Sequence, residues 1–251
     1  MNMSIPEQAG SVPALTTAEM VEVDRLMIED YRIQLIQMME NAGRNPAQLA
    51  RIRFLGGDPR GKTVVVAAGT GGNGGGALVC ARHLSNWGAG VRVISTKSDA
   101  DFTRVPAHQL ATLRRMGLQI GLASEAKQEL GTLPVDLIVD GIIGYSLSGA
   151  PRGAAADLIR LTNARGVPVL ALDAPSGLDA SSGSIFDPAI KATATLTLAL
   201  PKHGLRQPGA RAQVGELYLA DISVPPSLYS EPSLGISIGH PFARSEIIRL
   251  G

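Results

Sequence analysis

The feature that most constrains this chain is a block of six glycines within eight residues, Gly69-Thr70-Gly71-Gly72-Asn73-Gly74-Gly75-Gly76. It lies between a β-branched run, Lys62–Ala68 (KTVVVAA), and a segment of helical composition, Ala77–Trp87 (ALVCARHLSNW). A strand with apolar residues at consecutive positions is buried on both faces, as in a parallel sheet. Where a glycine loop leads from such a strand into a helix, a ligand can approach the backbone, and the free N–H groups favour an anion. The spacing Gly69-x-Gly71-x-x-Gly74 formally satisfies a dinucleotide fingerprint, which leaves a nicotinamide-dependent oxidoreductase as one reading. The acid that normally closes the second strand is missing, because Ile94-Ser95-Thr96-Lys97 offers none and Asp99 comes late. A tight turn fitting helix against strand accounts for the same glycines without any ligand. Asn73 is the polar handle of the block, either as a turn residue or as a carbonyl-oxygen ligand for a hard cation or a hydroxyl.

Around this block, strands and helices alternate. Thr16 or Thr17 is placed to cap a helix over Ala18–Asp30, with Met20, Val23, Met27 and Ile28 on one face and Glu19 and Glu22 near its start. Asp24 interrupts that face, so it lies at the edge or has a partner. A second helix is expected over Ile33–Phe54, interrupted in its middle by Gly43 and Pro46. Val91–Ser95 reads as strand two and Pro106–Met116 as its helix. Asp136–Val139, Pro168–Leu172, Thr193–Leu200 and Glu216–Ala220 read as later strands, and Ala154–Ala164 as a helix. This alternation predicts an α/β fold with a mainly parallel sheet covered on both faces and a helical N-terminal extension. The expected organisation is a flexible start over 1–14, one domain over 15–225, and a Pro- and Ser-rich tail over 226–251 that wraps the domain or meets a partner.

Composition removes several classes of function. The formal net charge is +1, which provides no field to gather nucleic acid or anionic membrane. Aromatic residues make up 4% of the chain, too few for a base-stacking platform. With 1 Cys there is no intrachain disulfide and no cysteine-clustered metal site. The histidines (His83, His108, His203, His240) are scattered and lack metal-ligand spacing. Apolar stretches such as Val64–Ala68 are too short to span a bilayer, and Met1–Leu15 has neither the basic start nor the apolar run of a secretion signal, so a cytoplasmic location is expected.

Two acids complete the reading. Asp140 follows the run Val135–Val139, and Asp173 follows Val169–Leu172. In an open parallel sheet the carboxyl ends of the strands line one crevice, so both acids and Asn73 can converge there. Each acid could instead cap a following helix. Both lead into Gly- or Pro-containing loops, Asp140-Gly-Ile-Ile-Gly-Tyr-Ser-Leu-Ser-Gly and Asp173-Ala-Pro-Ser-Gly-Leu-Asp, which suits ligand binding better.

At these blocks the chain resembles the YjeF N-terminal domain family, whose enzymatic members are NAD(P)H-hydrate epimerases. The resemblance spans about Leu15 to Pro225. It includes Leu15-Thr-Thr-Ala-Glu-Met20 with Asp24, Met38-Met-Glu-Asn-Ala-Gly-Arg44, the glycine block with Ala81-Arg82-His83-Leu84, and Val139-Asp-Gly-Ile-Ile-Gly144 through Arg152-Gly153. Its most specific part is Leu172-Asp-Ala-Pro-Ser-Gly-Leu-Asp179, close to the family's V-D-I-P-S-G-L-D, and Pro201-Lys-His-Gly-Leu205 resembles a later P-K-x-G-L.

The resemblance implies a Rossmann-like three-layer α/β/α sandwich, a homodimer, and interconversion of R and S forms at C6 of hydrated NADH or NADPH. It implies a potassium ion on Asn73, Asp140 and Ser176. It also implies contact of the NAD(P)H-hydrate with Gly72, Asn73, Gly74, Gly75 and Gly76, with Gly144, Tyr145, Ser146, Leu147, Ser148, Gly149 and Ala150, and with Asp173. Oxygen ligands suit a hard ion, and a cation beside the loop would offset repulsion between the acids and a substrate diphosphate. Asp173 is the expected acid/base group, with Asp140 occupied by the ion. The 251 residues are taken up by this block, so a dehydratase acting in the same repair is expected on a separate chain. The chain departs from the family pattern at Gly76, where an acid is usual, and at Tyr145, where a small residue is usual. A diverged, non-catalytic member that binds a nucleotide-like ligand or a protein partner is therefore the alternative.

Overall fold

The computed structural model describes residues 5–8, 11–126 and 133–251. Of the expected flexible start, residues 1–4 and 9–10 lie outside them. Within the described residues, an eight-stranded sheet runs in the order β3-β2-β1-β4-β5-β6-β7-β8. The strands are β1 (Thr63–Ala68), β2 (Gly90–Ser95), β3 (Gln119–Leu122), β4 (Leu137–Gly141), β5 (Val169–Leu172), β6 (Ala194–Leu198), β7 (Glu216–Ala220) and β8 (Ile247–Leu250). All neighbours pair in parallel except β7 and β8, which are antiparallel. The α/β sandwich with a mainly parallel sheet is thus as expected.

Alternation along the central strands explains the three layers. Val64, Val66 and Ala68 of β1 belong to one core, shared with Leu78 and Leu84 of α3 (Gly72–Asn86) and Leu110 and Leu113 of α4 (Arg104–Arg115). Val65 and Ala67 belong to the opposite core, with Leu158 and Ile159 of α5 (Gly153–Ala164). Successive side chains point to opposite faces, so a strand covered on both sides needs an unbroken apolar run.

The N-terminal extension begins with α1 (Thr17–Arg25). Thr16 is its cap: the Oγ1 accepts from the Glu19 amide while the Glu19 carboxylate accepts from the Thr16 amide, a reciprocal capping box. A π-helical turn over Leu26–Asp30 continues it. Met20, Val23, Leu26 and Met27 pack on Leu219, Ile248 and Leu250 of β7 and β8. The tail therefore folds back on the body, and its apolar end forms β8. On the far side of β8, Glu7 bridges Arg249 and the Gln8 amide donates to the Arg249 carbonyl at 2.9 Å.

Three expectations are corrected. The helix expected from Ala77 starts at Gly72, so five residues of the supposed loop, Gly72–Gly76, are helical. Gly74 and Gly75 are there because the helix is jammed against its surroundings: a Cβ on Gly74 would lie 1.8 Å from the Gly69 carbonyl oxygen, and one on Gly75 would lie 2.6 Å from the Met39 sulfur. The second helix, α2 (Leu35–Leu49), runs through Gly43 and Pro46 without a break. A Cβ on Gly43 would lie 2.3 Å from the Val79 Cβ, so Gly43 is the contact at which α2 meets α3. Finally, the short edge strand β3 falls where no element was expected.

Candidate active site

The order of the strands reverses direction between β1 and β4, which is where an open α/β sheet leaves a crevice at its carboxyl ends. Three segments meet there: the turn from β1 into α3, the loop after β4, and the loop after β5. Asp140 sits in β4 opposite Ala67 of β1 and Ala171 of β5 and is fully buried. Its Oδ1 accepts from the Ser176 hydroxyl at 2.6 Å and the Ile142 amide at 3.1 Å, and its Oδ2 accepts from the Ser176 amide at 2.8 Å. Burial nevertheless pushes its carboxyl up to about 6, because those donors only partly replace lost hydration. The Ser176 hydroxyl also accepts from the Ile143 amide at 2.8 Å, so Asp140 and Ser176 pin the β4 and β5 loops together.

Asn73 lies over the same loop. Its side chain stands 3.1–3.3 Å from where a Gly144 Cβ would be, so a larger residue there would have to push Asn73 aside by a few tenths of an ångström. The Asn73 Nδ2 is buried with no hydrogen-bond partner among the described residues. An orphaned amide nitrogen is unfavourable, and turning the amide over would present its oxygen instead. The carboxylate of Asp140, the hydroxyl of Ser176 and the amide of Asn73 thus form a neighbourhood of oxygen donors containing one formal negative charge, a donor set suited to a hard monovalent cation rather than zinc.

Asp173 follows β5 with a left-handed φ of +67°, a conformation that Asp tolerates better than most residues. The turn aims its carboxylate into the crevice, where it forms a buried ion pair with Lys202, whose side chain is 0% exposed. The same Oδ1 accepts from the Leu198 amide at 3.2 Å and the Thr197 hydroxyl at 3.3 Å. No hydrogen bond among the described residues uses Asp173 Oδ2. Lys202 also donates to the Leu198 carbonyl at 3.0 Å, and its Nζ lies 5.7 Å from the centre of the Tyr145 ring.

A cavity of about 200 Å³ opens beside these groups. Of the residues singled out from sequence, Gly72, Asn73 and Gly76 line it from the start of α3, Gly144, Tyr145 and Ser146 from the β4 loop, and Asp173 from the β5 loop. Gly74 and Gly75 do not line it; they face the Gly69 backbone and Met39. Leu147, Ser148, Gly149 and Ala150 continue the β4 loop outside its lining, and Asp140 and Ser176 are buried and do not line it. A Cβ on Gly71 or Gly72 would meet nothing within 4 Å, so the backbone at the helix start is open to a ligand.

Two charged lining residues, Lys202 and Asp24, carry no site role on sequence grounds. Lys202 is the charge partner of Asp173, and its sequence signal was the Pro-Lys-His-Gly-Leu block. Asp24, which broke the apolar face of α1, accepts a 2.6 Å hydrogen bond from the Tyr145 hydroxyl. Burial raises the Asp24 carboxyl above its ordinary value, opposed by the Tyr145 bond and by Lys202. Burial and the neighbouring Asp24 likewise raise the Tyr145 phenol, which stays protonated as the donor.

Comparison with known proteins shows the family and the fold. Residues 35–204 match the model of the family described as YjeF-related protein N-terminus. An NAD(P)H-hydrate epimerase of Dehalogenimonas lykanthroporepellens is 40% identical over 96% of this chain and 94% of its own. A bifunctional NAD(P)H-hydrate repair enzyme of Moorella thermoacetica is 38% identical over 85% of this chain, which spans only 41% of that longer protein. The crystal structure of yeast ynu0 superposes with a TM-score of 0.78 at 25% identity, covering 95% of this chain and 100% of the yeast chain. With a site assembled at the sheet's switch point and a family match over most of its length, the chain belongs to the family of YjeF-related N-terminal proteins.

Proposed function

We propose that this chain is an NAD(P)H-hydrate epimerase, which interconverts the R and S forms at C6 of the hydrated nicotinamide ring of NADH or NADPH. The observation that carries the proposal is that a carboxylate, with one oxygen unpaired among the described residues, and an open glycine-rich helix start share a single small cavity. At about 200 Å³ it is smaller than the roughly 300–1,000 Å³ usual for ligand pockets, which fits one ring rather than a whole dinucleotide. The rest of the nucleotide leaves past Gly71 and Gly72, where backbone N–H groups favour its diphosphate.

The chemistry needs no redox partner. C6 carries both the hydroxyl and the ring nitrogen, so the nitrogen lone pair expels the hydroxyl as water once a proton reaches it. The flat, cationic ring then takes water on its other face, which gives up a proton. Asp173 moves one of these protons through Oδ2, while its Oδ1 is fixed by Lys202, Thr197 and Leu198. Asn73, Asp140 and Ser176 are the residues that would hold a potassium ion, which would supply positive charge near the diphosphate and favour the ionised form of Asp140. The orphaned Asn73 amide and the buried Asp140 carboxyl support that assignment.

A homodimer through the N-terminal helices completes the reading, supported by Val21, Ile28, Leu35 and Ile36, apolar side chains exposed at 54%, 41%, 39% and 37%. A dehydratase that consumes one epimer acts in the same repair, supported by the bifunctional relatives, and the setting is the cytoplasm. The test is an assay of R-to-S conversion with NADH and NADPH hydrates. Wild type converts them, and Asp173→Asn is slower by roughly 10²–10⁴-fold. Absence of conversion by wild type refutes the proposal; full activity of Asp173→Asn refutes the role given to that residue.

A further inference from the structure

Inversion at C6 has a requirement that Asp173 alone does not meet. The hydroxyl leaves from one face of the ring and water returns to the other, so protons move on both faces. Asp173 projects from the end of β5 and can serve one of them. Among the described residues lining the cavity, Asp24 is the other carboxylate, and it comes from a different wall, the helix α1. It is half-buried, and its Oδ2 is fixed at 2.6 Å by the hydroxyl of Tyr145, which is itself a lining residue. The groups acting on Asp24 are Tyr145, Lys202 and Asp173, and Tyr229 senses it from the tail side.

Resting on the epimerase reading above, we propose that Asp24 is the second catalytic acid/base group, serving the ring face opposite to that served by Asp173, and that Tyr145 is its positioning residue. In one direction the protonated carboxyl of Asp24 gives its proton to the C6 oxygen. The C6–O bond breaks, water departs, and the ring nitrogen shares its lone pair with C6. A water on the Asp173 side then bonds to C6 and passes its proton to Asp173, restoring a neutral ring. The reverse direction exchanges the two roles, so one proton is released and one taken up in each turnover. The environments fit this division: burial raises the Asp24 carboxyl above its ordinary value, and Asp173 is held in an ion pair with Lys202.

Isotope exchange separates this role from a structural one. Each pure epimer is incubated with enzyme in H₂¹⁸O, and both the inversion and the label entering at C6 are followed above the uncatalysed rate. Wild type inverts both epimers and labels both. Asp24→Asn loses inversion by roughly 10²–10⁴-fold yet still labels one epimer, through departure and return on the Asp173 face. Asp173→Asn labels only the other epimer. Tyr145→Phe follows the pattern of Asp24→Asn with a loss of about tenfold and a KM within about threefold of wild type, as expected for one lost positioning hydrogen bond. The assignment is overturned if Asp24→Asn loses labelling of both epimers equally, if both Asp variants spare the same epimer, or if Asp24→Asn behaves as wild type. A wild-type protein that neither inverts nor labels either hydrate refutes the epimerase reading itself.

Discussion

Replacing Lys202 by Met tests how the site is built. The Lys202 side chain is 0% exposed and its Nζ serves Asp173, the Leu198 carbonyl at 3.0 Å and the Thr197 hydroxyl at 3.4 Å. Met fills nearly the same volume as the lysine stem, so packing changes little and the loss is electrostatic. The variant leaves the 5%-exposed Asp173 carboxylate without its counter-charge. Removing one partner of a buried pair costs about 3–5 kcal/mol, whereas removing both costs far less. For a chain of 251 residues that loss corresponds to a Tm drop of roughly 6–20 °C. Adding Asp173→Asn, a residue that tolerates the left-handed backbone there, should recover about 2–3 kcal/mol of the loss. Urea denaturation of the wild type, the two single variants and the double variant measures the coupling directly. If the two single losses simply add, Lys202 does not hold Asp173 through charge and the account of Oδ1 as the anchored oxygen is wrong.

Gly74→Ala places a Cβ 1.8 Å from the Gly69 oxygen and should cost about 3 kcal/mol or prevent folding, whereas Gly72→Ala meets nothing within 4 Å and should leave stability within about 0.5 kcal/mol while raising KM. Thermal melts and steady-state kinetics of the pair distinguish packing glycines from ligand-facing ones. Potassium chloride, compared with tetramethylammonium chloride, should stabilise wild type by about 1.4 kcal/mol at ten times its Kd, a shift of roughly 3–6 °C, and should do nothing for Asp140→Asn. Arg53 holds Glu216 down from 4.5 to about 2, so the pair stabilises the fold above pH 4.5 and that contribution disappears as pH falls towards 2. The Glu216 side chain is 27% exposed, which reduces its worth to about 1 kcal/mol, and Glu216→Gln should therefore melt lower at pH 7 yet match wild type near pH 2.

The buried strands and the two strand-end acids were legible because their signals are local: an unbroken apolar run, then a charged residue, then Gly or Pro. The start of α3 was not. Glycine disfavours helix in the absence of tertiary contacts, and only the approach of the Gly69 backbone, Met39 and Leu172 explains Gly74, Gly75 and Gly76 in the first turns of α3. Gly43 misled for the same reason, since its close contact with Val79 of α3 overrides its low helix propensity. Asp24 was legible as an anomaly and not as part of the site, because its partner Tyr145 is 121 residues away. The edge strand β3 has four residues and lacks the continuous apolar run that marked the central strands.

The pairing around β8 gives the two ends of the chain a shared fate. Arg249 is held on one side by Tyr218 of β7 and on the other by the segment at Glu7 and Gln8. An edge strand with unsatisfied backbone groups recruits strands from other molecules, and here residues 7 and 8 cover part of that edge. Clipping the first eight residues would uncover β8 while leaving the catalytic crevice intact. The nicked protein would then lose solubility before it lost activity, by strand-to-strand association between molecules.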